Sequence, residues 1–234
     1  AFLADLTPPT ILNVTDGAGA RSHMSSLVAA GLLAREGIEP VLQFTCRDRN
    51  RIALQSDVLG AGALGIHNIL VLGGDDPKAG DQPDAKPVFD LGTTELIALM
   101  RQMSEDGTIP GGRTIAAPPR LFLGAADSPF DPPADWKPER LGAKADAGAR
   151  FVQTQFCYDV DIVRRYIARL DDAGLTKKLF ILLGTGPIAS AKSARWMREN
   201  LWGVIIPDAM IARLEGAADE RAEGRAICVE FIQQ

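Results

Sequence analysis

Three short segments of the chain place polar side chains directly after an apolar run. They are QFTCRDRNR at 43–51, VLGGDDP at 71–77 and QTQFCYD at 153–159. Each is followed by a stretch that is compatible with a helix, and an apolar run of this length is typical of a strand buried on both faces. When polar groups recur at the carboxyl ends of parallel strands, they gather at one rim of a β/α barrel. The pattern therefore predicts that the chemistry of this protein is concentrated at one such rim.

Six apolar runs alternate with helix-compatible stretches along the chain. The strands are expected at 11–16, 41–46, 69–74, 121–126, 151–156 and 179–184. A repeat of about 30 residues is typical of parallel βα units, although six units are too few for a closed eight-stranded barrel. We therefore expect an α/β fold, a β/α (TIM-type) barrel that forms a single domain over 1–234, with its first and last strands outside this chain. A doubly wound open sheet is the alternative, but no GxGxxG follows the first strand, which disfavours its nucleotide-binding version.

Local signals predict where several helices begin. A helix is expected over 21–36, and Asp48 is expected to cap the next one. Ser190 is expected to cap a later helix, and Pro207 to occupy the first turn of the helix that follows. The polar loop 75–90 is long for a βα connection, and loops of this length are usually functional or disordered.

The composition excludes several classes of protein. The net charge of −5 disfavours a nucleic-acid surface. Three scattered cysteines give neither a disulfide framework nor a zinc motif, so no metal site is expected. No apolar run reaches the roughly 20 residues of a membrane span, and the first residues lack the features of a signal peptide. These observations favour a cytoplasmic domain of the size of an enzyme.

Five blocks in the chain resemble the 5,10-methylenetetrahydrofolate reductase family, in the family's order and spacing. They are TDGAGA, QFTCRDRNR, GIHNILVLGGDDP, AGARFVQTQFCYD and GTGPIASAKSARWM. The resemblance implies a barrel that carries FAD at its carboxyl rim and reduces 5,10-methylenetetrahydrofolate to 5-methyltetrahydrofolate, or catalyses the reverse oxidation. It also implies NADH or another electron donor, a small-molecule folate substrate and no nucleic-acid or membrane partner, and it is compatible with a homo-oligomer.

The resemblance assigns roles to five residues. Asp75 would be the catalytic carboxylate, in contact with both the folate and the flavin. Gln155 would bind the folate, because its amide can both donate and accept hydrogen bonds. Thr45, Lys144 and Asp127 would bind the cofactor, with Lys144 on a flavin phosphate. Structural alternatives remain open: a loop or capping aspartate, a glutamine bonded to backbone, a buried threonine and a solvated lysine.

Other positions depart from the family pattern. The strand end at 127–129 lacks an aromatic residue that often lies against the flavin. Gly73 stands where several members carry an arginine, and Lys137 lies near the place of an acidic ribose contact. Ala191 replaces an aromatic residue that can pack on the folate. A flavin-free folate-binding or accessory barrel is therefore the alternative function, while another pterin-binding barrel, such as a methyltransferase, fits the GDDP and TQ blocks poorly.

The general acid of the family is a glutamate that precedes a Pro-Pro pair. Pro8-Pro9 follows Thr7 and lies one βα unit too late, so the acid is expected upstream of this chain. Asp16, after the first strand, is a conceivable substitute.

Overall fold

The computed structural model describes residues 11–234, so the Pro8-Pro9 pair lies outside the described residues. The described residues contain six strands rather than eight. They are β1 (Ile11–Val14), β2 (Glu39–Thr45), β3 (Asn68–Leu72), β4 (Phe122–Asp127), β5 (Phe151–Phe156) and β6 (Phe180–Gly184). Each matches a predicted strand to within a few residues.

Helices follow every strand. They are α1 (Ser26–Arg35), α2 (Arg51–Ala63), α3 (Thr93–Arg101), α4 (Glu139–Ala147), α5 (Val160–Asp172), α6 (Ala191–Asn200), α7 (Asp208–Glu215) and α8 (Glu220–Gln233). Short 3₁₀ turns occur at Ala18–Ala20, Pro77–Ala79 and Leu175–Lys177, and a π-helical segment, Gln102–Asp106, continues α3.

The strands follow one another in the order β1 to β6, and the pairs from β1 to β4 and between β5 and β6 are parallel. A doubly wound sheet reverses its strand order at a switch point, whereas the order here is strictly sequential. The predicted α/β class with parallel strands is therefore confirmed, and the doubly wound alternative is wrong.

Three of the local predictions need correction. The first helix begins at Ser26 rather than Arg21, because Arg21 leaves the preceding 3₁₀ turn in an extended conformation, with φ −104° and ψ 156°. The backbone N–H of the next residue, Ser22, donates to the carboxylate of Asp81 at 3.2 Å. Asn50, not Asp48, caps α2 and accepts hydrogen bonds from two backbone N–H groups at 3.1 Å. Pro207 is the N-cap of α7 rather than a member of its first turn.

One capping prediction is confirmed. Ser190 caps α6 by accepting a hydrogen bond from the backbone N–H of Ser193 at 3.1 Å. Replacing such a cap by alanine typically costs about 1 kcal/mol of stability.

The chain divides into two compact units, which are described separately. Unit 1 comprises the residues up to Ala125 together with Ala143–Arg150, and unit 2 comprises Ala126–Gly142 and Phe151–Gln234. Fully buried side chains of unit 1 include Leu42, Phe44, Leu54, Ile69, Leu96 and Met100. The core of unit 2 includes Tyr158, Ile188, Ala194, Val204, Met210, Ile211 and Leu214. The prediction of a single domain over 1–234 stays a prediction.

Among residues 11–234, no helix is long and apolar enough to cross a membrane. The same residues hold no group of three or more histidine, cysteine or acidic side chains placed to bind a metal ion. All three cysteines are free and buried. Burial raises the pKa of Cys46 to about 11, so this thiol acts as a packing residue rather than a nucleophile.

Candidate active site

In unit 1, the turn after β3 presents Asp75. Gly74 has a φ of +94°, and a Cβ built there would lie 2.9 Å from the Cβ of Arg47 and 3.3 Å from the Cβ of Thr45. Glycine is therefore required for this turn to lie against the end of β2. The carboxylate of Asp75, which follows at once, is on an exposed residue.

Arg47 joins this turn to neighbouring segments. Its guanidinium is only 5% exposed and makes two hydrogen bonds of 2.7 Å to the carboxylate of Asp48, which raise the pKa of Arg47 above its ordinary value. It also donates to the carbonyl of Gly17 at 3.3 Å and lies 3.5 Å from the carbonyl of Asp75, at the outer limit of a hydrogen bond. The carbonyl of Arg47 accepts from the N–H of Val88 at 2.7 Å. One buried cation thus touches the segments that follow β1, β2 and β3.

The long loop 75–90 is held to the rest of unit 1 at several points. Asp76 caps its 3₁₀ turn by accepting from the N–H of Lys78 at 2.9 Å. Gly80 lies so close to Ala20 that an added Cβ would sit 1.9 Å from the Ala20 carbonyl oxygen. Asp90 makes a bidentate ion pair with Arg51, with N···O distances of 2.8 and 2.9 Å. These contacts give the loop a defined course, and Asp75 lies at its start.

Asp16 organises the end of β2. Its carboxylate accepts hydrogen bonds from the Thr45 backbone N–H at 2.9 Å, the Thr45 hydroxyl at 3.0 Å and the Ser26 hydroxyl at 3.1 Å, and it pairs with Arg49. Arg49 also lies 4.4 Å from the ring centroid of Phe44. The side chain of Asp16 is therefore occupied by four donors. The hypothesis that it replaces the general acid stays a prediction, and its contacts are those of a structural anchor.

The predicted cofactor residues of unit 1 differ in accessibility. Thr45 is 2% exposed and its hydroxyl proton is directed at Asp16, so it has no free donor to offer. Lys144 lies half-buried on α4. Their cofactor roles stay predictions.

In unit 2, Asp127 ends β4 and accepts a hydrogen bond of 2.5 Å from the hydroxyl of Tyr166. Burial, followed by the negative charge of Asp127, raises the pKa of Tyr166 above its ordinary value. The Tyr166 ring lies beside Trp136 at 5.9 Å, and Trp136 meets Phe130 edge-on at 4.9 Å. Phe130 and Trp136 follow the strand end at 127–129, where the aromatic residue that often lies against the flavin in the family is absent. Their rings pack against Tyr166. The predicted cofactor role of Asp127 stays a prediction.

Gln155 lies in a β-bulge. Gln153 pairs with Leu182 and Phe156 with Gly184, so β5 advances three residues while β6 advances two. A Cβ on Gly184 would lie 2.5 Å from the Thr154 carbonyl oxygen and 2.7 Å from that of Gln155. Bulges re-aim side chains and occur often beside active sites. In a regular strand Gln153 and Gln155 would point to the same face, and the bulge breaks this alternation between Gln153 and Phe156.

The side-chain amide of Gln155 is oriented by two backbone contacts. Its Nε2 donates to the carbonyl of Trp202 at 3.0 Å, and its Oε1 accepts from the N–H of Phe156 at 3.0 Å. One N–H and one lone pair remain for a ligand. Gln155 therefore bonds to backbone, as the structural alternative expects, and half of the hydrogen-bonding capacity of its amide is still available.

Within unit 1, Gly74, which directly precedes Asp75, packs against Thr45 at the end of β2. Within unit 2, Gln155 and Asp127 lie near the ends of their strands. The sequence reasoning missed the anchoring carboxylate of Asp16, the buried position of Arg47 and the turn that carries Trp202. A glycine near the end of an apolar strand, Gly184, was the signal that could have indicated the bulge.

Comparison with known proteins identifies the family. The model of the family described as methylenetetrahydrofolate reductase matches residues 3–234. The chain belongs to the methylenetetrahydrofolate reductase family.

Curated relatives agree with this assignment. The 5,10-methylenetetrahydrofolate reductase of Salmonella typhimurium is 28% identical over 221 residues, which cover 94% of this chain and 67% of the relative. Methylenetetrahydrofolate reductase 2 of Saccharomyces cerevisiae is 29% identical over 238 residues, covering 97% of this chain and 37% of the yeast protein. The chain therefore spans about two thirds of the bacterial relative and just over a third of the yeast one.

A solved structure has the same fold. It is a protein from Clostridium thermocellum, described as binding two copies of 5-methyl-5,6,7,8-tetrahydrofolic acid. The alignment has a TM-score of 0.57 at 12% identity and covers 95% of this chain and 68% of that one. At this identity the likeness shows a common fold.

Proposed function

We infer that this chain is an oxidoreductase that reduces 5,10-methylenetetrahydrofolate to 5-methyltetrahydrofolate, or catalyses the reverse oxidation, in one-carbon metabolism. The observation that carries this proposal is the family match over residues 3–234. Asp75 and Gln155 stand at the positions of the family's GD and TQ motifs, and both follow or end parallel strands.

Asp75 is proposed as the catalytic carboxylate. Reduction requires the one-carbon unit to become an iminium cation on the pterin, and a fixed negative charge close to that cation lowers its free energy. The neighbouring cation Arg47 is compensated by Asp48 through two hydrogen bonds of 2.7 Å. The contact of Asp75 with Arg47 is made by its backbone carbonyl, so its carboxylate can face the substrate.

Gln155 is proposed to bind the pterin edge of the folate. Its remaining N–H and lone pair allow it to donate one hydrogen bond and accept another, which suits a ring edge that carries both kinds of group. The two backbone contacts at 3.0 Å hold the amide in one orientation, so the residue does not have to be ordered when the folate binds.

The family implies a flavin, FAD, and the residues of this chain fit it unevenly. The turn after β3 has open space at Gly73, since a Cβ placed there would meet no atom within 4 Å, but it lacks the arginine that several family members carry at this position. Thr45 fits less well, because it is 2% exposed and its hydroxyl already donates to Asp16. Asp127 has one carboxylate oxygen engaged by the hydroxyl of Tyr166. A bound reduced flavin would supply the hydride. Asp75 would balance the positive charge of the substrate, and Lys144 would hold a phosphate.

The electron donor, the location and the assembly are part of the same proposal. We take NADH or another donor as the reductant and the folate as the small-molecule partner, in a cytoplasmic protein. Size-exclusion chromatography with light scattering would establish whether it is a homo-oligomer.

A flavin-free folate-binding barrel is the second candidate. It is favoured by the buried hydroxyl of Thr45, which already donates to Asp16, and a protein of the same fold is described as binding 5-methyl-5,6,7,8-tetrahydrofolic acid. This function would require the site of Gln155 but not the charge of Asp75.

The absorbance spectrum of the purified protein separates the two candidates. A flavin band that bleaches when 5-methyltetrahydrofolate is added under anaerobic conditions supports the reductase, because the folate has then reduced the flavin. A colourless protein that binds the same folate and cannot be reconstituted with FAD supports the flavin-free barrel. A protein that binds neither contradicts both.

A further inference from the structure

Trp202 is the most exposed large apolar side chain among residues 11–234, at 84% of its full accessibility. Single exposed apolar residues are common on protein surfaces, so exposure alone does not make a site. An indole offers a large flat face for stacking, however. Whether that face can contact a ligand depends on where the residue lies in the fold.

The backbone of Trp202 is attached to Gln155. The carbonyl of Trp202 accepts the hydrogen bond from Gln155 Nε2 at 3.0 Å. The next residue, Gly203, has a φ of +75°, and a Cβ there would lie 2.7 Å from Ser128 Oγ and 3.7 Å from Gln155 Cγ. The turn is therefore packed directly against the amide that we assign to the folate.

Both sides of this turn are anchored. The N–H of Leu201 donates to the carbonyl of Met197 at the end of α6, at 2.9 Å. Beyond the turn, the N–H of Ile205 donates to the carbonyl of Phe156 at 3.0 Å, in an isolated parallel bridge beside β5. The indole is thus an exposed side chain on a well-held backbone, which means that little ordering is needed when a ligand meets it.

We propose that Trp202 is a folate-binding residue whose indole stacks on the pterin ring that Gln155 holds by its edge. The proposal rests on the assignment of Gln155 to the folate. A conjugated planar ring with polar edges is best recognised by hydrogen bonds at an edge and an aromatic face against the ring. Ala191, where some family members place an aromatic residue, is a small buried side chain here, and Trp202 supplies the aromatic face from a different element.

The test compares four variants with the native protein. They are Trp202→Ala, Trp202→Phe, Gln155→Ala and, as a matched control, Trp196→Ala, which removes another exposed tryptophan from α6. The dissociation constant of 5-methyltetrahydrofolate is measured by titration calorimetry. Because Gln155 bonds the carbonyl of Trp202, replacing the indole leaves that hydrogen bond in place.

We expect Trp202→Ala and Gln155→Ala each to weaken binding about tenfold. Trp202→Phe should keep part of the affinity, and Trp196→Ala should stay within about twofold of native. Tryptophan fluorescence gives a second readout: the folate should quench the native protein and the Trp196→Ala variant, but quench Trp202→Phe much less.

The outcomes separate the inference from the function on which it rests. If Trp202→Ala binds the folate as tightly as the native protein while Gln155→Ala does not, the role of Trp202 is refuted and the folate site stands. If the native protein does not bind the folate, both are refuted. A loss that is equal in Trp202→Ala and Trp196→Ala would also contradict the proposal, because it would show a general surface effect.

Discussion

Replacing Gly74 by alanine should damage catalysis more than it damages the fold. The new Cβ would lie 2.9 Å from the Cβ of Arg47, inside the turn that presents Asp75. Carbon atoms in contact are normally about 3.5–4.0 Å apart, so the turn or the end of β2 has to move by about 0.6 Å or more. A misplacement of about 1 Å near a reacting group can reduce the rate about 10²-fold.

The magnitude has two parts. Alanine in a left-handed backbone conformation costs about 1–2 kcal/mol. Overpacking adds about 1–3 kcal/mol if the neighbours do not yield. Gly112→Ala is the matched control, because Gly112 has a similar φ of +82° but a Cβ there would meet no atom within 4 Å. This control isolates the backbone cost.

The assay combines urea unfolding with the kcat/KM for 5,10-methylenetetrahydrofolate. The free energy of unfolding should fall in both variants, because both place alanine in a left-handed backbone conformation. Only Gly74→Ala should also lower kcat/KM, by about tenfold or more. The reasoning is refuted if Gly74→Ala keeps native activity, or if Gly112→Ala loses as much activity as Gly74→Ala.

Two further predictions concern stability. Gly184→Ala should lower the free energy of unfolding by about 1–3 kcal/mol, because its Cβ would lie 2.5 Å from the carbonyl oxygen of Thr154. The control Gly186→Ala should stay near native in the same melt, because its Cβ would meet only a Phe156 ring atom, at 3.8 Å. Equal losses in the two variants would contradict the account of the bulge. Hydrogen bonds from Arg51 lower the pKa of Asp90 to about 2. The stability that this pair contributes is therefore present above the unfolded pKa of about 4 and is lost as the pH falls toward about 2. Asp90→Asn should flatten the dependence of the melting temperature on pH between these two values, and an unchanged profile would refute this.

The strands were predictable from the sequence because their signal is local. Apolar runs of four to eight residues with a polar ending identify buried parallel strands without knowledge of their partners, and the match of β3 and β5 to the predicted ranges reflects this. Helix starts were less predictable. Asp48 and Asn50 are both good caps by residue type, and the choice between them was made by Arg47, whose guanidinium takes both carboxylate oxygens of Asp48.

The contacts of the site depend on residues far apart in the chain. Thr45 and Asp16 are separated by 29 residues, and Tyr166 and Asp127 by 39. Local pattern cannot show that these partners already use the hydroxyl of Thr45 and one carboxylate oxygen of Asp127. In the same way, the direction of the Gln155 side chain depends on the bulge opposite Gly184, which is a property of the β5–β6 register and not of either strand alone.

The role of Asp75 is tested most directly by Asp75→Asn, measured in the two halves of the reaction. Oxidation of the electron donor is followed with an artificial acceptor, and reduction of the folate is followed separately. Only the folate half develops a cation that needs the carboxylate, so we predict that this half slows by about 10²-fold or more, equivalent to about 3 kcal/mol, while donor oxidation stays near native. Equal slowing of both halves would contradict the account and would make Asp75 a structural or cofactor-binding residue.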